Sequence, residues 1–407
     1  MIFTKGQLRH KIVWRIFKFI LTPFMKLKFN YQFKKMILPG YPVFVLPNHV
    51  TNWDPLLVGV ATPRMMYYVA SDHIFRLGWI SKLLVFLVAP IPRVKSSTDW
   101  KTVSSIIKLI REGHNICIFP EGNMTFGGET EELHATTAKL IKHTGAGLIT
   151  YRMEGGYLTQ PRWSRSLRRG AMTGFPVHVY TPEEIETLSE EELMSRINED
   201  LYTNAYIEQE QHQSPIAFSG KNLAENLETT LYLCPSCEKI GKLTSNDDTL
   251  SCTCGLKLRY TVYGYLESLT HDKEPFNTVL SWFRWQSRRI EEMAKELRER
   301  PVNEAITSDE NQSLWRTQKA KNNVLLANGR LQLFSDKLAF QAADGQVFNF
   351  PLPQISDIAI HGQRTLIFTT INKEFYELKS RAPRSAIKYY EIYKALTGQH
   401  NIYKGKG

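Results

Sequence analysis

The 407-residue chain lacks several things, and each lack narrows its class. Residues 1–40 contain no Asp or Glu, although they carry nine basic residues: Lys5, Arg9, Lys11, Arg15, Lys18, Lys26, Lys28, Lys34 and Lys35. With a net charge of +11 over the whole chain, this asymmetry calls for an anionic partner; nucleic acid, an anionic membrane and acidic metabolites all satisfy it. No uncharged apolar run reaches the roughly 18 residues of a membrane-spanning helix. The nearest candidate, residues 77–92, contains Lys82. Arg15 and Lys18 interrupt any signal-peptide core and no small-residue cleavage site follows, so the chain is expected to stay cytosolic. Cysteine is scarce. Four of the five cluster at positions 234, 237, 252 and 254, and Cys117 stands alone in an apolar stretch. This pattern argues against a disulfide framework and for a metal site in a reducing compartment. Internal repeats and low-complexity tracts are also missing.

What is present begins with the basic N-terminus, where Trp14, Phe17, Phe19 and Phe24 are interleaved with the lysines and arginines. Such a helix is expected to lie in the headgroup layer of an anionic membrane, apolar face among acyl chains and cations near phosphates, attached peripherally on the cytoplasmic side. Hydrophobic residues make up 43% of the chain and aromatics 12%, enough for a large core, and the length implies two or three domains. Residues 1–30 are read as the interfacial segment and 31–215 as an α/β domain with a mixed sheet flanked by helices. Its strands fall near 43–46, 116–119, 147–151 and 177–180. Residues 208–230 are polar and aperiodic, as in a linker. The cysteine cluster occupies a small segment, 216–265, followed by a helical connector, 266–320, with one amphipathic helix at 278–300. Residues 321–400 read as a mostly-β, barrel-like domain: strands at 323–326, 331–334, 337–341, 347–350, 355–360, 365–370 and 374–378, then a helix at 384–396.

The chemistry-bearing stretch is Asn48-His49-Val50-Thr51-Asn52-Trp53-Asp54. An apolar strand, 43–46, runs directly into it, and Asp54-Pro55 then opens an apolar helix, so His49 is expected at an exposed strand end, where α/β proteins keep active-site groups. Asp54 also makes a sound helix N-cap with Pro55 behind it, a purely structural role. Histidine suits a reaction that must remove a proton near neutral pH, and a carboxylate beside it fixes the imidazole tautomer and stabilises the imidazolium. An isolated H-x4-D is common. Its weight here comes from two later motifs: Arg93, which ends Val88-Ala89-Pro90-Ile91-Pro92-Arg93, and the sequence Phe119-Pro120-Glu121-Gly122-Asn123 after a second apolar strand.

In that combination, over residues 30–200, the chain resembles the glycerolipid acyltransferase family typified by 1-acyl-glycerol-3-phosphate acyltransferases. The resemblance implies transfer of a fatty acyl group from acyl-CoA or acyl carrier protein to the hydroxyl of a lysophospholipid, in phospholipid biosynthesis and without an acyl-enzyme. It implies His49 as general base and Asp54 as its orienter. Arg93, Glu121 and Gly122 would hold the acceptor's glycerol phosphate, with Asn48 and Asn123 beside them in the substrate-binding set. Glu121 is suited to accepting a hydrogen bond from an acceptor hydroxyl or bracing a basic residue. Two positions depart from the family pattern: Asn123-Met124-Thr125 stands where threonine, arginine and serine are usual, and Gly147-Leu148-Ile149-Thr150-Tyr151 lacks the usual proline. A positive charge is therefore missing, which keeps open a different acceptor, another lysophospholipid, a glycolipid or an amine; Arg152, Arg162, Arg165, Arg168 and Arg169 are candidates to replace the charge.

Cys234-Pro235-Ser236-Cys237 and Cys252-Thr253-Cys254-Gly255 form two thiol pairs on turns. Four sulfurs suit tetrahedral zinc with a closed shell, which predicts a structural ion rather than a catalytic one. The spacing resembles a zinc ribbon with C-x-C in place of the second C-x2-C. Zinc ribbons also occur in nucleic-acid proteins, so a basic binding module with a degenerate acyltransferase-like domain is the rival reading. The cysteines enclose Lys239, Lys242, Asp247 and Asp248 but no basic stripe, and no nucleic-acid partner is expected. The C-terminal strands and helix resemble, in element order alone, a pleckstrin-homology-like or GRAM-like barrel.

Overall fold

A computed structural model describes residues 5–71, 79, 85–86, 89–93, 100–270, 274–317, 323–382 and 384–402. They fall into two units: residues 1–161 with 167–219, and residues 162–166 with 220–407.

Unit 1 is built on a seven-stranded sheet whose strands are β1 (Tyr31–Phe33), β2 (Val43–Pro47), β3 (Met66–Ser71), β4 (Ile91–Arg93), β5 (Asn115–Cys117), β6 (Gly147–Glu154) and β7 (Met172–Tyr180), in the order β1-β7-β6-β2-β5-β3-β4. Only the β6–β7 pair is antiparallel, so the mixed sheet expected from the sequence is present. Every residue of β2 is buried. Val43 and Val45 point into one core with Met25, Phe29 and Leu57, while Phe44 and Leu46 point into another with Ile106, Ile141 and Leu193. A central strand covered by helices on both faces must be apolar throughout, which is why residues 43–46 read so clearly.

Helix α1 (Lys5–Phe29) buries Trp14, Leu21, Met25 and Phe29. Its other side leaves Ile16, Phe19, Ile20 and Leu27 in solvent; Phe19 and Leu27 are 83% and 81% exposed. Helix α2 (Asp54–Ala61) follows β2, with Pro55 in its first turn. Among the described residues no helix is long and apolar enough to cross a membrane. Most of residues 77–92, the longest apolar run, lie outside the described residues.

Unit 2 contains a four-stranded antiparallel meander, β8 (Leu243–Asn246), β9 (Thr249–Cys252), β10 (Lys257–Tyr260) and β11 (Leu266–Ser268), and a seven-stranded antiparallel sheet. The latter comprises β12 (Thr307–Thr317), β13 (Val324–Leu333), β14 (Lys337–Ala342), β15 (Val347–Pro351), β16 (Ile355–His361), β17 (Thr365–Thr370) and β18 (Phe375–Ser380), in the order β15-β14-β13-β12-β18-β17-β16. Among the described residues no ladder joins the edges β15 and β16. Helix Ala386–Thr397 packs on this sheet through Tyr393, whose hydroxyl donates to the Ile355 carbonyl (2.9 Å), and Phe350 of β15 meets Phe368 of β17 (centroids 4.8 Å apart).

Several expected boundaries move. The four-stranded sheet runs to Ser268, and the region read as a helical connector ends in β12. The amphipathic helix of 278–300 is two helices, Val279–Glu292 and Ala294–Glu299, meeting at Met293. Residues 323–334, read as two strands around an Asn-Gly turn, form the single strand β13, because Gly329 serves close strand approach: a Cβ there would sit 1.9 Å from the Gln341 carbonyl oxygen of β14.

Candidate active site

His49 lies just beyond the carboxyl end of β2, at the edge where parallel strands of an open sheet present functional groups. Its Nδ1 is 2.8 Å from Asp54 Oδ2, so the imidazole donates Nδ1–H to the carboxylate and leaves Nε2 as the acceptor. The ring is partly open, 21% exposed, while the Asp54 side chain is 0% exposed. Asp54 also accepts from the backbone N–H groups of Val50 (2.7 Å) and Thr51 (2.9 Å) and from the Thr51 hydroxyl (2.6 Å). Its carboxylate thus turns back onto the loop. The helix-cap role is absent: Trp53 occupies the cap position and makes no side-chain capping bond. The sequence motif holds the dyad, and Thr51, which no sequence argument singled out, completes it.

The main chain of His49 is gripped from both sides. Its N–H donates to Glu121 Oε1 (2.6 Å) and its carbonyl accepts from Thr125 N (3.2 Å). The other oxygen of Glu121 accepts from Glu131 N (3.0 Å), and the residue is buried. Both Glu121 oxygens accept from backbone amides and so fix the main chain that carries His49. Asn48 acts in the same way. Its Oδ1 accepts from Met153 N (2.8 Å) and its Nδ2 donates to Met153 O (2.9 Å), so this fully buried amide fastens the loop to β6 instead of facing an acceptor. Phe119 lies against the imidazole, ring centroids 4.5 Å apart.

Gly122 has φ of 68°, a left-handed conformation, and its N–H closes its own turn onto Phe119 O (3.1 Å) rather than projecting outward. A side chain there would strike His134, whose Nε2 lies 2.7 Å from the ideal Cβ position. His134 Nε2 is also 3.2 Å from Arg93 Nη2 at the end of β4. The structure thus brings Arg93, His134 and the Gly122 turn together. His134 has no motif to announce it, because only the return of the 123–134 loop carries it there. Asn123 is half-buried on the same turn. Of the proposed replacement cations, Arg152 donates to the carbonyls of Glu199 and Asp200, Arg168 is buried, and Arg162 belongs to unit 2, where it donates to Gly362 O (2.6 Å).

The lone cysteine of this unit, Cys117, is fully buried in β5, and burial pushes its thiol well above the usual range, which makes it a poor nucleophile. The four remaining thiols meet in unit 2, with their sulfurs within 4.8 Å of one another.

Residues 28–154 match the family model described as Acyltransferase. A 1-acyl-sn-glycerol-3-phosphate acyltransferase of Borreliella burgdorferi is 24% identical over 151 residues, which cover 37% of this chain and 59% of that protein. Among solved structures, the 1-acyl-sn-glycerophosphate (LPA) acyltransferase PlsC from Thermotoga maritima is similar at 17% identity and a TM-score of 0.40, over 47% of this chain and 76% of that one. A chain of the 8S snRNP assembly intermediate is similar at 12% identity and a TM-score of 0.20, over 25% of this chain and 87% of that one. The residues that match the Acyltransferase family model include both the His49–Asp54 dyad and the Phe119–Gly122 turn.

Proposed function

We propose that the protein is an O-acyltransferase that moves a fatty acyl group from acyl-CoA or acyl carrier protein to the free hydroxyl of 1-acyl-glycerol-3-phosphate or a similar lysophospholipid. The observation that carries this reading is the 2.8 Å His49–Asp54 contact at the carboxyl edge of the sheet, inside the acyltransferase segment. His49 Nε2 takes the acceptor's proton as its oxygen attacks the thioester carbonyl, and the tetrahedral intermediate collapses with departure of the thiolate. The imidazolium, stabilised by Asp54, then returns the proton to sulfur. The acceptor oxygen occupies the place a serine takes in a hydrolase triad, so no acyl-enzyme forms. Arg93 holds the acceptor's phosphate as a fork donor, next to His134.

The apolar side chains exposed on α1, together with Lys11, Arg15, Lys26 and Lys28, support contact with an anionic bilayer, from which the acceptor is drawn and to which the product returns. Trp53, adjacent to the dyad, packs against Phe24 and Phe29 of α1 and under the Lys28 ammonium (4.0 Å), which puts the reacting centre beside the helix that would meet the lipid.

The decisive experiment is transfer of a labelled acyl group from the thioester to a panel of lyso-acceptors by the wild type and His49→Ala. Transfer should be lost in the variant while its thermal midpoint and circular dichroism stay unchanged; near-normal turnover would sink the mechanism. The neutral sequence Asn123-Met124-Thr125 after Gly122 favours a second reading, an acceptor whose headgroup differs from glycerol phosphate. A strict preference for lysophosphatidate in the same panel eliminates it.

A further inference from the structure

Four thiols of unit 2 take no part in the reaction proposed above. Cys234 and Cys237 sit on a turn closed by the Leu233–Ile240 bridge, and Cys252 and Cys254 on the turn between β9 and β10, where Cys252 N donates to Leu256 O (2.9 Å). The two turns share a construction. In each, the residue after the second cysteine is left-handed, Glu238 at φ 50° and Gly255 at φ 104°, which folds the chain back around the sulfurs. In each, that residue's N–H closes the turn onto the first cysteine's carbonyl: Glu238 N to Cys234 O (2.8 Å) and Gly255 N to Cys252 O (3.1 Å). Across the turns the Sγ–Sγ distances are 3.7 Å for Cys234–Cys254 and 3.8 Å for Cys237–Cys252. A disulfide needs about 2.05 Å. Tetrahedral zinc with Zn–S bonds of about 2.3 Å sets its sulfurs roughly 3.8 Å apart.

We propose that Cys234, Cys237, Cys252 and Cys254 bind one Zn²⁺ that fastens the two turns together and serves as the folding keystone of residues 231–268. Four thiolates complete a tetrahedral shell, leaving no position for water or substrate, so the ion is structural. The segment needs such a staple. Its own sheet buries five large apolar side chains, Leu243, Leu250, Leu258, Tyr260 and Leu266, a small core for a piece of chain this short. The neighbouring helix Val279–Glu292 is tied to the approach to Cys234: Trp282 Nε1 donates to Leu233 O (2.9 Å), and Gln286 bonds Thr230 O (2.8 Å) and Tyr232 N (3.0 Å). Arg289 pairs with Glu238 (2.7 Å), directly after Cys237. Metal loss therefore reaches that helix.

The test uses the full chain, purified from zinc-supplemented medium and dialysed, with metals counted by plasma mass spectrometry. One zinc per chain is expected, retained in Cys117→Ser and lost in the Cys237→Ser/Cys254→Ser double variant. Exchange with Co²⁺ should give the intense visible bands of a tetrahedral tetrathiolate, and stripping the metal should raise amide exchange across 231–268 and 279–292. A chain with four freely titrating thiols and no metal, one carrying iron instead, or zinc that survives in the double variant would each overturn the proposal. The counts on the unmodified chain decide the matter even if the variant fails to fold.

Discussion

At the scale of single residues, Glu121 separates a positioning role from a binding one. Replacing it with Gln keeps one acceptor oxygen and turns an amide NH2 toward the N–H of either His49 or Glu131, donor against donor. An unsatisfied buried donor costs about 1–3 kcal/mol, and the loop carrying the imidazole should shift. Under the acyltransferase reading, kcat should fall about tenfold or more while KM for the lyso-acceptor changes little. A rise in KM at constant kcat would instead mean that Glu121 reaches the acceptor. The His49–Asp54 pairing was legible because both ends lie within one turn of chain. The roles of Asn48 and Glu121 were not, because their partners Met153, His49 and Glu131 come from other elements of the sheet edge.

At the scale of elements, helix Ala386–Thr397 carries a buried carboxyl with a definite pH consequence. Glu391 accepts from Tyr232 and Ser287 hydroxyls and from Asn401 Nδ2 (3.1 Å), and burial pushes it up to about 7. Its folded pKa lies above the unfolded one, so its contribution to stability is complete below the ordinary carboxyl range and is lost as pH rises through about 7. Glu391→Gln keeps an acceptor oxygen and cannot ionise. Its unfolding midpoint should therefore lose part of the decline that the wild type shows between the ordinary carboxyl range and about pH 7; identical slopes by calorimetry would exclude this group as the cause. Helix α1 yields a second prediction. Phe19→Glu with Leu27→Glu should greatly reduce co-sedimentation with anionic vesicles and leave folding intact, since both side chains lie in solvent. Unchanged vesicle binding would remove α1 as the contact. Strand β12 escaped sequence reading because Thr307-Ser308-Asp309-Glu310-Asn311-Gln312 lacks apolar alternation; it exists by pairing with β13 and β18, with a bulge around Asn311, at φ 57°.

At the scale of the whole molecule, neither unit is a continuous stretch of chain. Residues 162–166 leave unit 1 and belong to unit 2, where Trp163 is fully buried edge-on to Tyr260, centroids 5.3 Å apart. A buried tryptophan contributes roughly 3–5 kcal/mol. Cutting the chain after Ser219 removes that environment, so the fragment should aggregate, and Trp163→Ser within it should restore solubility; a soluble unmodified fragment would contradict the division. No boundary placed by composition anticipates this exchange, because five residues are too few to shift the local pattern.

The sequence by itself determined the chemistry within reach of one turn: the imidazole with its carboxylate, the two thiol pairs, the apolar central strand and the basic apolar N-terminus. Such features are written in residue type and short spacing. Tertiary structure decided what holds His49 in place, which cation meets His134, where β12 runs and which unit claims Trp163. Those depend on segments tens to hundreds of residues apart, and a buried polar group takes its role from whichever backbone amide the fold brings to it.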